Sequence, residues 1–375
     1  MDRASLKKVR RLVVKVGSQV IAQREGLAFD RLKSLAKQFA TLNREGRECL
    51  VVSSGAVAAG YKRLGLTERP KTLRLKQAAA AAGQVSLMLA WEKALGVYGL
   101  KAAQILLSAE DLADRGRFLN ARNTLNCLLE QGLTPIINEN DTVAVEELKF
   151  GDNDTLGSLV ASLVEADLFV NLTDRDGLYA ADPRKFPEAE LLAEVPEVTA
   201  EVLAMAGGEG GPLGVGGMFT KVRAAGRLAE RGLPSIIASG LTRDVLGRLV
   251  DGENLGTFFP PEKKKRGAYK HWLAFATRPK GTLWVDAGAA AALKDRGKSL
   301  LPGGVYKVEG VFAAGDAVNI AQKEGVGPLG VGLSNYSSPE VSLIMGLSSQ
   351  EIVKKLGYGH SEEIVHRDNL VVFSQ

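Results

Sequence analysis

From residue 10 to about residue 245 two hydrophobic patterns alternate. RLVVKVGS, ECLVVSSG, LKAAQILL, GLTPIINEND, ADLFVNLTD and LPSIIASG are compact apolar runs that end in glycine or small polar residues. Each predicts a strand buried on both faces. Between most of them apolar residues recur at helical spacing, as in FDRLKSLAKQFATLNREG, which stops at Gly46. Such alternation predicts a mostly parallel sheet sandwiched by helices. Ligands of such sheets sit beyond the carboxyl ends of the strands, so the turns that end strands are the places to look for chemistry.

The pattern breaks at PPEKKKRGAYK, Pro260 to Lys270. Two prolines and a run of cations continue neither a helix nor a central strand, and they predict a linker. Beyond it GTLWVDAG, VYKVEGVF and DAVNIAQ are short strand-like runs between Gly, Pro and Asp turns. They predict a small β-barrel or sandwich. The expected division is a domain over 1–259, a linker over 260–273 and a second domain over 274–375.

Composition narrows the class. The 375 residues are 45% hydrophobic and 24% charged, with a net charge of +5, so a core is affordable and anionic ligands are favoured. Cys49 and Cys127 are the only cysteines, which indicates neither a disulfide framework nor a structural zinc site. No apolar run is long enough to cross a bilayer and MDRASLKKVRRLVVKVG lacks a signal-peptide layout, so a soluble cytoplasmic protein is expected. His271, His360 and His366 all fall in the last third, away from the Gly-rich and acidic turns.

Two familiar spellings fail. GVGPLG at Gly325–Gly330 contains Pro328 and precedes a strand-like run where a dinucleotide site needs a helix. RGKSL around Lys298 has Ala292 where a phosphate-binding loop needs its first glycine.

Three signals survive. Lys15 lies inside Val-Val-Lys-Val, where burial is costly unless it meets an anion, though a lysine snorkelling from a strand end explains it as well. SSGAVAAG leaves a strand and opens a helix whose free N–H groups form an anion cup, although a plain serine N-cap is the simpler reading. In GVGGMFTKVRAAGRLAERG, glycines 214, 216 and 217 lead into a helix with Thr220 and Lys221 in its first turn, a setting suited to phosphate. Asp152, Asn153 and Asp154 precede an apolar helix that needs one cap, so the surplus implies a carboxylate held between two lysines. A neighbouring amide would then donate to an anionic substrate. Thr173-Asp174 ends the next strand and would face the same crevice.

VVKVGS, VVSSGAVAAG, IINENDTV, FGDNDTL, NLTDRDGLYAADPR and GVGGMFTK, in that order, resemble the glutamate 5-kinase family of the amino-acid kinase superfamily over residues 8–260. The tail, including SLLPGGVYKVEGVFAAGDAV, is similar to a PUA domain. The resemblance implies an α/β amino-acid kinase fold with a small β-barrel-like PUA domain. It implies ATP-dependent phosphorylation of the side-chain carboxylate of L-glutamate, the first step of proline biosynthesis, with Mg²⁺ on the ATP phosphates and no dedicated protein metal site.

Residue by residue, Lys15 and Lys221 look like the pair that stabilises the migrating phosphoryl group, with Asp154 organising them. Ser54, Gly55, Asp141 and Asn153 resemble the glutamate-binding set. Lys15, Thr173, Asp174 and the loop of Val215, Gly216, Gly217, Met218, Phe219, Thr220 and Lys221 resemble the nucleotide contacts; Val215 stands where threonine is expected. The family also implies a homo-oligomer, feedback by proline and handover to glutamyl phosphate reductase. The alternatives are an acetylglutamate or aspartate kinase, or an RNA-binding PUA protein. Residues 271–375 carry ten Lys/Arg and ten Asp/Glu, a poor grip on RNA phosphates.

Overall fold

In the computed structural model, residues 2–23, 26–143, 153–207, 217–262, 279–322, 327–357 and 361–373 are described. The chain divides into two compact units, Met1–Arg266 and Gly267–Gln375.

The first unit opens with β1 (Arg11–Val16), α1 (Ser18–Ile21), the short hairpin β2 (Ala22–Gln23) and β3 (Gly26–Leu27), and α2 (Phe29–Arg44). β4 (Glu48–Ser53), α3 (Ala56–Gly60) and the long α4 (Leu73–Gly96) follow. Next come β5 (Lys101–Leu107), α5 (Ala109–Ala113), α6 (Arg115–Glu130), β6 (Leu133–Glu139) and α7 (Asn153–Leu163). β7 (Leu168–Thr173), α8 (Ala200–Met205), α9 (Met218–Glu230), β8 (Ser235–Ser239), α10 (Val245–Val250) and β9 (Thr257–Phe259) complete it. Seven strands form one sheet in the order β5-β6-β4-β1-β7-β8-β9. Every pairing is parallel except β8 with β9.

The expected parallel sheet is therefore present, and its central strands are buried on both faces because helices cover both sides. β1, β4 and β7 show it: only their first residues escape full burial, and β7 is buried throughout. LKAAQILL departs from the expectation. As the edge strand β5 it has a single partner, and Lys101 and Gln104 are exposed. Helix α2 buries Leu32, Leu35, Ala36, Phe39 and Leu42, the stripe its spacing predicts, and Gly46 ends it at a φ of 78°.

Two glycine contacts bring the helices close to their partners. A Cβ on Gly83 of α4 would lie 1.8 Å from the Ala56 carbonyl oxygen, and one on Gly60 would lie 1.9 Å from that of Ala79. α3 and α4 thus touch backbone to backbone, which fixes the turn before α3. A Cβ on Gly157 of α7 would lie 2.8 Å from the Phe169 ring, so that glycine lets α7 settle onto β1 and β7.

The second unit contains β10 (Gly281–Val285), α11 (Ala287–Arg296), β11 (Val305–Gly310), β12 (Ala317–Ala321), β13 (Gly330–Leu333), α12 (Ser338–Ile344), α13 (Ser349–Leu356) and β14 (Leu370–Val372). Its five-stranded sheet runs β11-β10-β12-β13-β14 and is antiparallel except for β10 with β12. β10, β11, β12 and β13 were legible in the sequence; β14 was not. The helices between them were not foreseen, although Asp286 caps α11 through a bond from the Ala289 amide and Gly297 closes it in the left-handed region. Both rejected spellings stay rejected. Gly330 lies in β13, and Lys298 follows the carboxyl end of a helix, the pole that repels phosphate.

Candidate functional site

The sheet brings the candidate residues together at the carboxyl ends of β4, β1 and β7. Lys15 pairs in register with Val52 on one side and Asn171 on the other. Its side chain meets Asp154, which projects from the first turn of α7. The Lys15 Nζ lies 2.7 Å from Asp154 Oδ1, and the Lys221 Nζ, from the first turn of α9, lies 2.9 Å from Oδ2. All three side chains are buried, Asp154 completely. Asn171 Nδ2 donates to Oδ1 at 2.9 Å, and the Thr220 hydroxyl lies 2.8 Å from Oδ2.

Burial alone would raise the pKa of Asp154. The charges of Lys15 and Lys221 and their hydrogen bonds overcome that effect and hold the carboxyl well below the ordinary carboxylate range. Asp154 is therefore a fixed anion at neutral pH. Two buried ammonium groups would repel each other without it, and it sets where both stand.

Two clefts meet at this cluster. The larger, of about 450 Å³, is lined by Lys15, Ser54, Gly55, Asp141 and Asn153 among others. The smaller, of about 280 Å³, is lined by Asp174, Tyr179, Arg184, Gly217 and Met218 among others. Gln19, Thr173, Asp174 and Lys221 line both, so Lys221 stands on the shared wall.

In the larger cleft the Asn153 side-chain amide donates to Ser54 Oγ at 2.9 Å and to Asn138 Oδ1 at 3.0 Å. Asn138 in turn donates to Gln84 Oε1 of α4 at 2.9 Å. The expectation that Asn153 donates to an anionic substrate is thus corrected. Its N–H groups are already used, and the atom left over is Oδ1, buried and without a hydrogen-bond partner among the described residues. That atom accepts; it suits a substrate ammonium.

The serine-cap reading of SSGAVAAG is also corrected. Gly55, not a serine, is the N-cap of α3, with no side-chain bond to the helix start. Its φ of 110° is a conformation L side chains rarely adopt, and it leaves Ser54 turned toward Asn153. The Ser54 hydroxyl accepts there and keeps its own proton to give. Helix α7 begins at Asn153, so Asn153 and Asp154 occupy its first turn and neither precedes it as a cap. Asp152, Val215 and Gly216 lie outside the described residues.

Met218 lines the smaller cleft at the start of α9. Phe219, in the same turn, lies under the Arg223 guanidinium at 5.5 Å and does not line either cleft. Thr220 faces Asp154. Asn171, Asn138 and Gln84 were missed. Asn171 carried a signal, a lone amide within FVNLT beside the lysine strand. Gln84 carried none, because only the packing of α4 brings it to the site.

A parallel α/β sheet whose central strands end at two lysines clamped by one carboxylate, between two clefts, marks a class that moves a compact anion from one ligand to another. The profile described as the amino acid kinase family matches residues 10–239, and one described as the PUA domain matches residues 281–356. The chain belongs to the amino acid kinase family. Its similar curated relatives are each called glutamate 5-kinase. That of Thermus thermophilus is 52% identical, over 97% of both chains. That of Citrifermentans bemidjiense is 50% identical, over 99% of this chain and all of the relative. That of Syntrophotalea carbinolica is 49% identical, over 99% of this chain and all of the relative.

Proposed function

We propose that the protein transfers the γ-phosphoryl group of ATP to the side-chain carboxylate of L-glutamate, giving L-glutamyl 5-phosphate and ADP, as the entry step of proline synthesis in the cytoplasm. The observation that carries this reading is the Lys15–Asp154–Lys221 clamp where the two clefts meet. Glutamate occupies the larger cleft, near Ser54, Asp141 and Asn153. ATP occupies the smaller one, near Thr173, Asp174 and the start of α9.

A carboxylate oxygen attacks the γ-phosphorus, the bond to the β-bridging oxygen breaks, and ADP leaves with that electron pair. With a reference pKa of about 4.3, the glutamate side chain is already ionised at neutral pH and needs no base. The two ammonium groups stabilise charge on the migrating group, which is the main requirement of such a transfer. Among the described residues no group of three or more His, Cys, Asp or Glu side chains could hold a metal ion. Mg²⁺ would arrive on the ATP phosphates and supply charge neutralisation there, and Asp174 on the shared wall would be the residue to hold it.

The test is ATP consumption with a panel of acidic amino acids and hydroxylamine present. Glutamate-dependent hydroxamate is the expected result, and hydroxamate with aspartate or acetylglutamate alone would sink the reading. Domain bounds of 1–259 and 274–375 with a linker over 260–273, a homo-oligomer, competition by proline for glutamate, and handover to a glutamyl phosphate reductase complete the proposal. Sedimentation, proline inhibition kinetics and acyl-phosphate loss with added reductase test the last three.

A further inference from the structure

The larger cleft must recognise three charges on its amino acid, and the clamp accounts for one. Among the described residues its lining carries three cations, Lys15, Arg69 and Lys221, and three carboxylates, Glu139, Asp141 and Asp174. Lys15 and Lys221 are committed to Asp154 and the migrating group, and the γ-carboxylate has to approach them. Glu139, Asp141 and the acceptor oxygen of Asn153 suit the α-ammonium. An α-carboxylate one carbon away would then sit among like charges unless a cation met it.

We infer that Arg69 is the residue that recognises the α-carboxylate, and so separates α-amino acids from other carboxylates; this rests on the glutamate reading above. Among the described residues lining this cleft, Arg69 is the cation that has no role in the clamp. Its guanidinium makes no ion pair or hydrogen bond with any described residue, unlike Arg11, Arg122 and Arg184, which are held by Glu48, Glu165 and Asp182. It is exposed, while Pro70 directly after it is buried. The proline anchors the backbone and biases Arg69 to an extended conformation, so the arm works from a fixed root. A guanidinium offers a planar pair of donors that matches a carboxylate, which a lysine does not.

The test uses the full chain and two acceptors, glutamate and its α-amide, which keeps the α-ammonium and γ-carboxylate and lacks only the α-charge. Because the arm is exposed, Arg69→Ala should raise KM for glutamate by roughly three- to tenfold, with kcat and KM for ATP within about twofold of the parent. Arg69→Lys should recover part of the loss. With the α-amide, parent and variant should give the same kcat/KM, or the same inhibition constant against glutamate where turnover is too slow to read. An equal penalty on both acceptors, a rise in KM for ATP instead, or no change at all would overturn the inference. If the parent makes no glutamate hydroxamate, the functional reading itself has failed; if it does and Arg69→Ala matches it, only the role of Arg69 has.

Discussion

Asp154 is the residue on which the site turns. It has no exposure and four donors around it, Lys15, Asn171, Thr220 and Lys221. Replacing it with asparagine leaves two buried lysines facing a neutral group. Removing one partner of a buried ion pair costs about 3–5 kcal/mol. Asp154→Asn should therefore lower unfolding free energy by about that amount at pH 7, as read by urea denaturation. The pH dependence has a defined sign. The folded-state pKa lies below the unfolded one, so the stabilisation is complete above the ordinary carboxylate range and lost as pH falls through the folded value. The gap between parent and variant should hold through neutral pH and narrow only below about pH 4. A gap that narrows between pH 8 and pH 6 would contradict this. The charged members of the clamp were legible because a lysine inside VVKV and a surplus acid beside a helix start are both costly unless paired. Asn138 and Gln84 were not, since amides that bond to one another leave no imbalance in a sequence.

At the scale of elements, the turn before α3 depends on how closely α3 meets α4. The backbone contact at Gly60 and Gly83 places Ser54 and Gly55 beside Asn153, while the smaller cleft draws no described residue from either helix. Gly83→Ala must push α3 outward. Overpacking of this kind costs about 1–3 kcal/mol, and the variant should melt earlier. It should also raise KM for glutamate and leave KM for ATP unchanged. An equal rise in both would show that α3 does not govern the amino-acid side alone.

Element type was largely legible, because the strands of the sheet core are apolar on both faces and α2 carries a clean stripe. Three details were not. The edge position of β5 depends on strand order, which periodicity does not encode. The Gly55 cap was obscured by two serines that are good caps elsewhere. Helix α11 is alanine-rich and polar enough to hide between strands, though its Asp286 and Gly297 ends were visible.

Across the whole molecule, every described residue lining the two clefts comes from the first unit. The second unit has its own core, built on Leu283, Val318, Tyr336 and Ile364, and the charges over residues 271–375 balance. No helix among the described residues is long and apolar enough to cross a membrane.

On the proposed reading, phosphoryl transfer requires both ammonium groups beside Asp154, and Lys221 stands on the wall common to both clefts. The most direct measurement is glutamate-dependent hydroxamate formation by Lys221→Met, with circular dichroism confirming that the fold persists. Loss of one such charge-stabilising donor typically costs about 10²–10³ in kcat, and a loss of at least that size is expected here. A folded Lys221→Met protein that turns over glutamate at the parent's rate would show that the clamp is not where the phosphoryl group passes.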